Sequence, residues 1–251
     1  MKAIITGVNG TVAPVLAKSL MAAGHRVVSW NRAQVPTDNQ KAINEFIVNE
    51  HPDWFFHLAN GSPDWAESAA QACALHRIKF LFTSSVSVFS SAQRGPFTVN
   101  NLPQPDDSYG NYKFECEQRV IGSNPDALVV RLGWQIGEAP GANHMVDFLD
   151  RTFRSDGRIT ASVNWYQACS FLADTADSLR YIMNCHSAGI YHLDGNPGLN
   201  FYEIALGLNR LFGNPWTVAA NDAPNLNNLL RDERVPVSPI TSRFAVRSDI
   251  Q

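Results

Sequence analysis

The sequence lacks a long apolar run, a cluster of basic residues and any paired arrangement of cysteines. No apolar stretch approaches the roughly 18 residues of a membrane-spanning helix, and a formal net charge of −3 gives no electrostatic footprint for nucleic acid. The four cysteines are scattered, with no metal-ligand spacing; they are Cys73, Cys116, Cys169 and Cys185. These absences argue against a membrane protein, a nucleic-acid-binding protein and a metal site. Because the N-terminal residues also lack a signal-peptide layout, we expect a cytoplasmic protein with reduced thiols.

What the sequence does contain is an alternation of short apolar runs and helical patterns over 251 residues, a length that can bury a large core. This alternation predicts the α/β class, with a Rossmann-type doubly wound parallel sheet. We expect residues 1–132 to form a nucleotide-binding domain, with later returning segments near 171–195. Residues 133–251 are expected to form mainly a small C-terminal substrate-binding lobe.

A glycine-rich turn follows the first predicted strand, Lys2–Thr6. It reads Gly7-Val-Asn-Gly10-Thr-Val-Ala13 and leads into a helical pattern over Val12–Ala23. Strand, glycine turn and helix N-terminus together form a phosphate site, because the backbone can approach a pyrophosphate and unpaired N–H groups point at it. The candidate cofactor-binding residues here are Gly7, Asn9, Gly10, Thr11 and Val12.

The second predicted strand, His25–Trp30, ends in Asn31-Arg32 with no acidic residue. A carboxylate at this place would bind a ribose 2′-hydroxyl, whereas an arginine suits a 2′-phosphate. The sequence therefore favours NADP(H) as cofactor, with NAD as the alternative. Asp38 follows as a further cofactor-site candidate and as the predicted cap of a helix that runs to about Glu50.

An almost continuous apolar run, Asp53–Ala59, is typical of a parallel strand buried on both faces. Leu58, Ala59 and Asn60 then lie at the carboxyl edge of the sheet, where ligands of such folds bind. His57, inside this strand, is interpreted as a core residue. After a single helix over 64–76 and a strand over 78–83, Ser84 and Ser85 place hydroxyls at the same edge.

Tyr109 and Lys113 lie four residues apart at the start of a predicted helix that extends to about Ile121. This spacing places both side chains on one helix face, one turn apart. A nearby ammonium favours the ionised phenol, so we expect the pKa of Tyr109 to be lowered toward neutrality. Such a tyrosine could supply the proton when a carbonyl is reduced.

Taken together, these motifs resemble the extended short-chain dehydrogenase/reductase superfamily. The order of the Gly7-x-x-Gly10-x-x-Ala13 turn, the Phe-Thr-Ser-Ser-Val-Ser-Val-Phe segment over 82–89 and Tyr109-x-x-x-Lys113 carries the resemblance. Val129-Val-Arg-Leu-Gly-Trp134 and the segment over 170–177 are most similar to the dTDP-4-dehydrorhamnose reductase-like branch. The likeness runs from about residue 2 to about residue 212.

The resemblance implies roles for three residues. Ser85 would hydrogen-bond the substrate carbonyl, Tyr109 would protonate it, and Lys113 would bind the nicotinamide ribose and lower the pKa of the tyrosine. The implied reaction is hydride transfer from NADPH to a carbonyl, such as that of a 4-keto nucleotide sugar. The family also implies a homodimer formed through the helix that carries Tyr109.

The chain departs from the family pattern at three places. Ala13 replaces the third glycine, and Phe89 replaces a tyrosine; both are expected to be tolerated. The segment between Asn60 and Ser84 is shorter than in relatives and holds no asparagine, the residue that supports the catalytic lysine there through water. Either another polar group supports Lys113, or catalysis is impaired.

Two alternatives to a reductase therefore remain open. One is an epimerase or dehydratase that uses tightly held NAD, against which Asn31-Arg32 argues. The other is a non-catalytic NADP-binding regulatory protein, since the regulatory subunit of methionine adenosyltransferase shares this resemblance.

The C-terminal half predicts helices over 143–154, 174–183 and 201–211, and a strand over 190–193. Asn200 and Glu203 have the spacing of a capping box at the last helix. The aromatic and polar segment over 164–167 could line the substrate pocket or simply pack in the core. Four arginines could reach a substrate diphosphate or remain solvated: Arg231, Arg234, Arg243 and Arg247.

Overall fold

The structure, a computed structural model, describes residues 1–185 and 187–245. Its strands are β1 (Lys2–Ile5), β2 (Arg26–Ser29), β3 (Trp54–His57), β4 (Lys79–Ser85), β5 (Leu128–Leu132), β6 (Trp134–Ile136), β7 (Ile159–Ser162), β8 (Trp165–Gln167), β9 (Cys169–Phe171), β10 (Gly189–Leu193), β11 (Val218–Asn221) and β12 (Leu226–Asn228). Its helices are α1 (Ala13–Ala22), α2 (Gln40–Glu50), α3 (Pro63–Leu75), α4 (Ser108–Ser123), α5 (Met145–Asp156), α6 (Leu172–Cys185), α7 (Phe201–Leu211) and α8 (Thr241–Ala245). A short 3₁₀ turn, Val86–Val88, follows β4. Among the helices described, none combines the length and apolar character needed to cross a bilayer.

Six strands form the main sheet in the order β10-β5-β4-β3-β1-β2. Strand β1 pairs in parallel with β2 and with β3, and β3 pairs in parallel with β4. The connections run through helices, as parallel pairing requires. The predicted Rossmann-type doubly wound parallel sheet is confirmed.

The apolar runs of the sequence explain this sheet, because its central strands are buried on both faces. All four residues of β3 and the middle of β4 are buried. Phe55 and Phe80 stack with their ring centroids 5.5 Å apart. The inward-facing residues of α2 and α3, among them Ile43, Ile47 and Trp65, belong to the same core cluster.

The chain divides into two compact units. The first unit consists of Met1–Ser90, Leu102–Arg131 and Ala176–Tyr191, and the second consists of Ser91–Asn101, Leu132–Thr175 and the described residues from His192 onward.

The second unit has its own core, in which α5 and α7 cover short parallel strand pairs; Met145, Leu149, Ile159 and Phe201 are buried there. The segment Ala176–Tyr191 thus returns to the first unit, and Ser91–Asn101 groups with the second unit. The N–H groups of Gly95 and Phe97 donate to backbone carbonyls of the segment after β11, which explains that grouping.

Several predicted boundaries shift by one or two residues. Helix α2 is capped by Asn39, whose side chain accepts a hydrogen bond from the Ala42 N–H, so the prediction of Asp38 as the cap is wrong. Strand β4 continues through Ser84 and Ser85. Helix α7 has the predicted bounds, and both hydrogen bonds of the Asn200–Glu203 capping box are present.

Candidate functional site

The glycine turn connects β1 to α1 and lies against the end of β3. Gly7 has a φ of 83°, and a Cβ added there would lie 3.0 Å from the Cα and N atoms of Ala59. The Gly10 N–H donates to the Gly7 carbonyl at 2.8 Å, which closes the turn. A side chain at position 7 would therefore face both backbone strain and a backbone clash.

Helix α1 begins directly after this turn. Its N-cap, Val12, makes no side-chain capping hydrogen bond, and Pro14 occupies the first turn, where an N–H would lack a partner within the helix. Asn9 and Gly10 are exposed, and Thr11 and Val12 are half-buried. An open helix N-terminus beside a tight glycine turn fits a pyrophosphate, because the helix dipole and the first-turn N–H groups favour an anion.

Thr6, which the sequence analysis did not single out, joins the turn to the end of β3. Its Oγ1 accepts hydrogen bonds from the N–H groups of Leu58 and Ala59, both at 3.0 Å. The only sequence signal is a polar residue that ends an apolar strand just before a glycine. This contact brings the predicted residues Leu58 and Ala59 beside the glycine turn.

Arg32 extends from the end of β2 toward the end of β3. Its guanidinium donates to the Asn60 carbonyl and lies 4.9 Å from the ring centroid of Trp65. The Asn31 side chain accepts from the Ala33 N–H at 2.9 Å and so shapes the preceding turn. Asp38 is exposed in the turn before α2. Arg32 and Asn60 are thus adjacent at the sheet edge.

Ser85, Tyr109 and Lys113 come together where β4 meets α4. The Ser85 hydroxyl donates to the Ser87 Oγ at 3.1 Å and lies close enough to Tyr109 to influence its pKa. The Lys113 Nζ donates to the Thr83 carbonyl at 3.0 Å and lies 5.8 Å from the Tyr109 ring centroid. A strand end and one helix face therefore place a hydroxyl, a phenol and an ammonium in one cluster.

Gly110, also missed by the sequence analysis, lets α4 approach the 3₁₀ turn that follows β4. A Cβ at this position would lie 2.1 Å from the Ser87 carbonyl oxygen. The Gly110 N–H also donates to the Asp107 carboxylate at 2.6 Å, which caps the helix. The available signal was a glycine next to Tyr109 inside a predicted helix, where glycine costs stability unless packing requires it.

The electrostatics of this cluster differ from the prediction. Partial burial raises the pKa of Tyr109, the hydrogen bond with Ser85 opposes this rise, and the Asp107 carboxylate adds to it. Burial lowers the pKa of Lys113 to about 8. The expected downward shift at Tyr109 is therefore wrong, because the cost of burying the charged phenolate dominates its pKa.

The shortened segment between β3 and β4 holds α3 as its single described helix. The group that holds Lys113 is the Thr83 backbone carbonyl, which needs no asparagine. One turn further along α4, Glu117 forms a fully buried bidentate ion pair with Arg131 of β5, at 2.9 and 2.7 Å. Helix α4 is thus fixed to the sheet on both sides of Lys113.

His57 is fully buried at the end of β3, with its ring edge-on to Trp65 at a centroid distance of 4.5 Å. Burial lowers its pKa to about 3, and the charges of Lys113 and Arg32 act in the same direction. Neither ring nitrogen has a hydrogen-bond partner among the described residues. It lies in the core as predicted and stays uncharged at neutral pH.

In the second unit, Trp165 packs against Phe201 at 4.8 Å and against Trp134 at 6.2 Å, in an aromatic cluster. The three described candidate arginines are engaged in ion pairs, namely Arg231 with Asp194, Arg234 with Asp232 and Arg243 with Asp174. Arg247 lies outside the described residues. These arginines have structural partners within their own unit.

Comparison with known proteins adds three findings. The family model "RmlD substrate binding domain" matches residues 63–215. The dTDP-4-dehydrorhamnose reductase of Mycolicibacterium smegmatis is 27% identical over 198 residues, which are 72% of this chain and 60% of that protein. The methionine adenosyltransferase 2 subunit beta of Xenopus laevis is 22% identical, over 85% of this chain and 73% of that protein.

The fold has close matches among solved structures. The dTDP-4-dehydrorhamnose reductase of Bacillus anthracis, solved in complex with NADP, superposes with a TM-score of 0.80 and 18% identity. The alignment covers 92% of this chain and 90% of that structure. At this level of identity the match establishes a shared fold.

Proposed function

Because the chain belongs to the RmlD substrate-binding-domain family, whose model matches more than half of it, we propose that it is an NADPH-dependent reductase of a 4-keto nucleotide sugar. The membership confirms the predicted resemblance to extended short-chain dehydrogenases/reductases and to their dTDP-4-dehydrorhamnose reductase-like branch. The observation that carries the proposed chemistry is the cluster of Ser85, Tyr109 and Lys113 at the meeting point of β4 and α4.

The residues of the first unit fit a dinucleotide. Gly7 and Gly10 give the tight turn, and the N-cap of α1, Val12, makes no side-chain capping hydrogen bond, so this helix end can receive an anion. Arg32 at the end of β2 suits a 2′-phosphate. NADPH, when bound, would supply the hydride.

The side chains of β4 and α4 would then act on the substrate carbonyl. In this proposal the Ser85 hydroxyl donates a hydrogen bond to the carbonyl oxygen, and the Tyr109 hydroxyl transfers its proton to that oxygen as negative charge develops. The raised pKa of Tyr109 keeps the phenol protonated at neutral pH, as an acid must be. Lys113, held by the Thr83 carbonyl, would contact the ribose and favour the phenolate that results.

The experiment follows NADPH oxidation with dTDP-4-dehydrorhamnose and related 4-keto sugars. We expect turnover by the wild-type protein and a loss of about 100-fold or more in kcat for Tyr109→Phe, the range for removing a general acid. Tyr181→Phe, a substitution at a half-exposed residue of α6, is the matched control and should keep the wild-type rate. A wild-type rate in Tyr109→Phe would contradict the assignment of Tyr109.

A second candidate is a non-catalytic NADP-binding regulatory protein. The similarity to methionine adenosyltransferase 2 subunit beta favours it. This candidate predicts NADPH binding without turnover on any keto sugar. It also predicts that Tyr109→Phe leaves any partner-dependent function unchanged.

A further inference from the structure

A single peptide group, between Asn60 and Gly61, is held by two side chains from different elements. Its carbonyl accepts a hydrogen bond from the Arg32 guanidinium, and its N–H donates to the Tyr112 hydroxyl at 3.0 Å. Because a trans peptide is planar, with its carbonyl and N–H on opposite sides, the two contacts fix its orientation from both ends. A rotated peptide would turn its N–H toward the cationic arginine.

The same peptide rests on Trp65. A Cβ at position 61 would lie 2.4 Å from Cε3 of this ring, so only glycine permits the contact. The Arg32 guanidinium lies over the same ring at 4.9 Å from its centroid, an arrangement that attracts a cation. Trp65 itself is fully buried and gives both groups a fixed support.

Tyr112 is well placed to control this peptide. It directly precedes Lys113 on α4, and its hydroxyl accepts a hydrogen bond from the Gly61 N–H at 3.0 Å. Burial raises the pKa of Tyr112, so the hydroxyl stays uncharged while it accepts from the Gly61 N–H. The hydrogen bonds of the peptide to Tyr112 and to Arg32 pass through one peptide group and polarise one another. The bond at its N–H therefore makes its carbonyl a stronger acceptor for Arg32.

We propose that Tyr112 determines dinucleotide specificity: its hydroxyl orients the Asn60–Gly61 peptide, whose carbonyl holds Arg32 where the 2′-phosphate of NADPH binds. The inference rests on the proposed function, because it takes NADPH as the ligand. Helix α4 then serves two purposes. Lys113 and Tyr109 act on the nicotinamide side, and Tyr112 acts through the backbone on the adenosine side.

The test compares the Kd values of NADPH and NADH, measured by fluorescence titration, for the wild-type protein and Tyr112→Phe. Loss of the hydroxyl should weaken NADPH binding about three- to tenfold, the range for one hydrogen bond. The Kd of NADH should change by less than about twofold, because NADH has no 2′-phosphate to contact Arg32. Tyr191→Phe is the matched control, because it removes a hydroxyl that donates to the Ser187 carbonyl at 2.6 Å; it should change neither Kd.

A double-mutant cycle separates positioning from general stability. If Tyr112 acts through Arg32, then Tyr112→Phe should weaken NADPH binding no further once Arg32→Ala is present. The inference would be overturned if Tyr112→Phe raised the Kd values of NADPH and NADH by the same factor, or if the losses from the two substitutions were additive in the cycle. Either result would overturn it even if the variant also had a lowered Tm. If the wild-type protein binds neither dinucleotide, the proposed function falls and this inference falls with it. If it reduces a keto sugar but Tyr112→Phe keeps the wild-type ratio of Kd values, only this inference fails.

Discussion

Helices α1 and α4 both begin beside the candidate site, but they begin in different ways. The N-cap of α1, Val12, makes no side-chain capping bond, and the helix follows a glycine turn. The first turn of α4 is capped by the Asp107 carboxylate through the Gly110 N–H at 2.6 Å. Open N–H groups can bind an anion, whereas capped ones cannot. This difference indicates that α1 is suited to bind a ligand through its backbone N–H groups and α4 through its side chains.

The strongest test of this contrast is Lys113→Met on α4. If α4 acts through side chains, kcat for keto-sugar reduction should fall about 100-fold or more, because the phenolate loses its neighbouring charge. The Tm at pH 7 should not fall. Burial lowers the pKa of Lys113 from 10.5 to about 8, so the buried charge costs stability at low and neutral pH, and that cost disappears as the pH rises through this window.

The control for that prediction is thermal unfolding of both proteins at pH 7 and above pH 10. The Tm advantage of Lys113→Met should shrink at the higher pH, where the lysine is neutral in the folded chain and increasingly neutral in the unfolded chain. A variant that loses activity only because it unfolds would contradict the assignment of Lys113 to the site.

The next largest effect is expected for Gly7→Ala in the turn before α1. The substitution places a Cβ 3.0 Å from Ala59 backbone atoms at a φ of 83°, so the turn must move. We expect the Kd of NADPH to rise about tenfold or more and the free energy of unfolding to fall by about 1–3 kcal/mol, the cost of such backbone strain. Gly24→Ala, at a φ of 80° with no atom within 4 Å of the added Cβ, is the control. It carries similar strain and should leave the Kd unchanged; equal Kd values for the two variants would argue against a phosphate site at the turn.

The smallest effect is expected for Asp107→Asn at the cap of α4. The amide oxygen can still accept from the Gly110 N–H, so stability should change little. The negative charge of Asp107 raises the pKa of Tyr109, and a catalytic acid is active only below its pKa. Removing the charge should therefore move the alkaline limb of the pH profile of kcat to lower pH, measured in a series of buffers at constant ionic strength. A shift to higher pH, or none, would show that Tyr109 does not control that limb.

Much of the fold was predictable because its signals are local. The glycine turn, the buried run of β3 and the Asn200–Glu203 capping box each depend on neighbours in the chain, and the structure has them where the sequence indicated. The residue that caps α2 was harder to predict from the sequence, since Asp38 and Asn39 are both good capping residues. Only the backbone conformation decides that Asn39 reaches the Ala42 N–H.

The candidate site was predictable in its residues but not in its contacts. Tyr109 and Lys113 were identified by their spacing and Ser85 by the family resemblance, and the structure brings the three together. The bond from Lys113 to the Thr83 carbonyl joins residues 30 positions apart, and the bond from Gly61 to Tyr112 spans 51 positions. Such contacts leave no local pattern, so the direction of the pKa shift at Tyr109 could not be derived from spacing alone.

The contact between Gly110 and the Ser87 carbonyl has a consequence for how this protein tolerates mutation. The 3₁₀ turn that directly follows Ser85 and the helix that carries Tyr109 meet there through main-chain atoms, at a place with no room for a Cβ. Their separation therefore does not depend on the size of an intervening side chain. Substitutions elsewhere in the core should lower the free energy of unfolding before they alter the spacing of Ser85 and Tyr109. Variants that accumulate such substitutions would therefore fail first by unfolding and only later by misalignment.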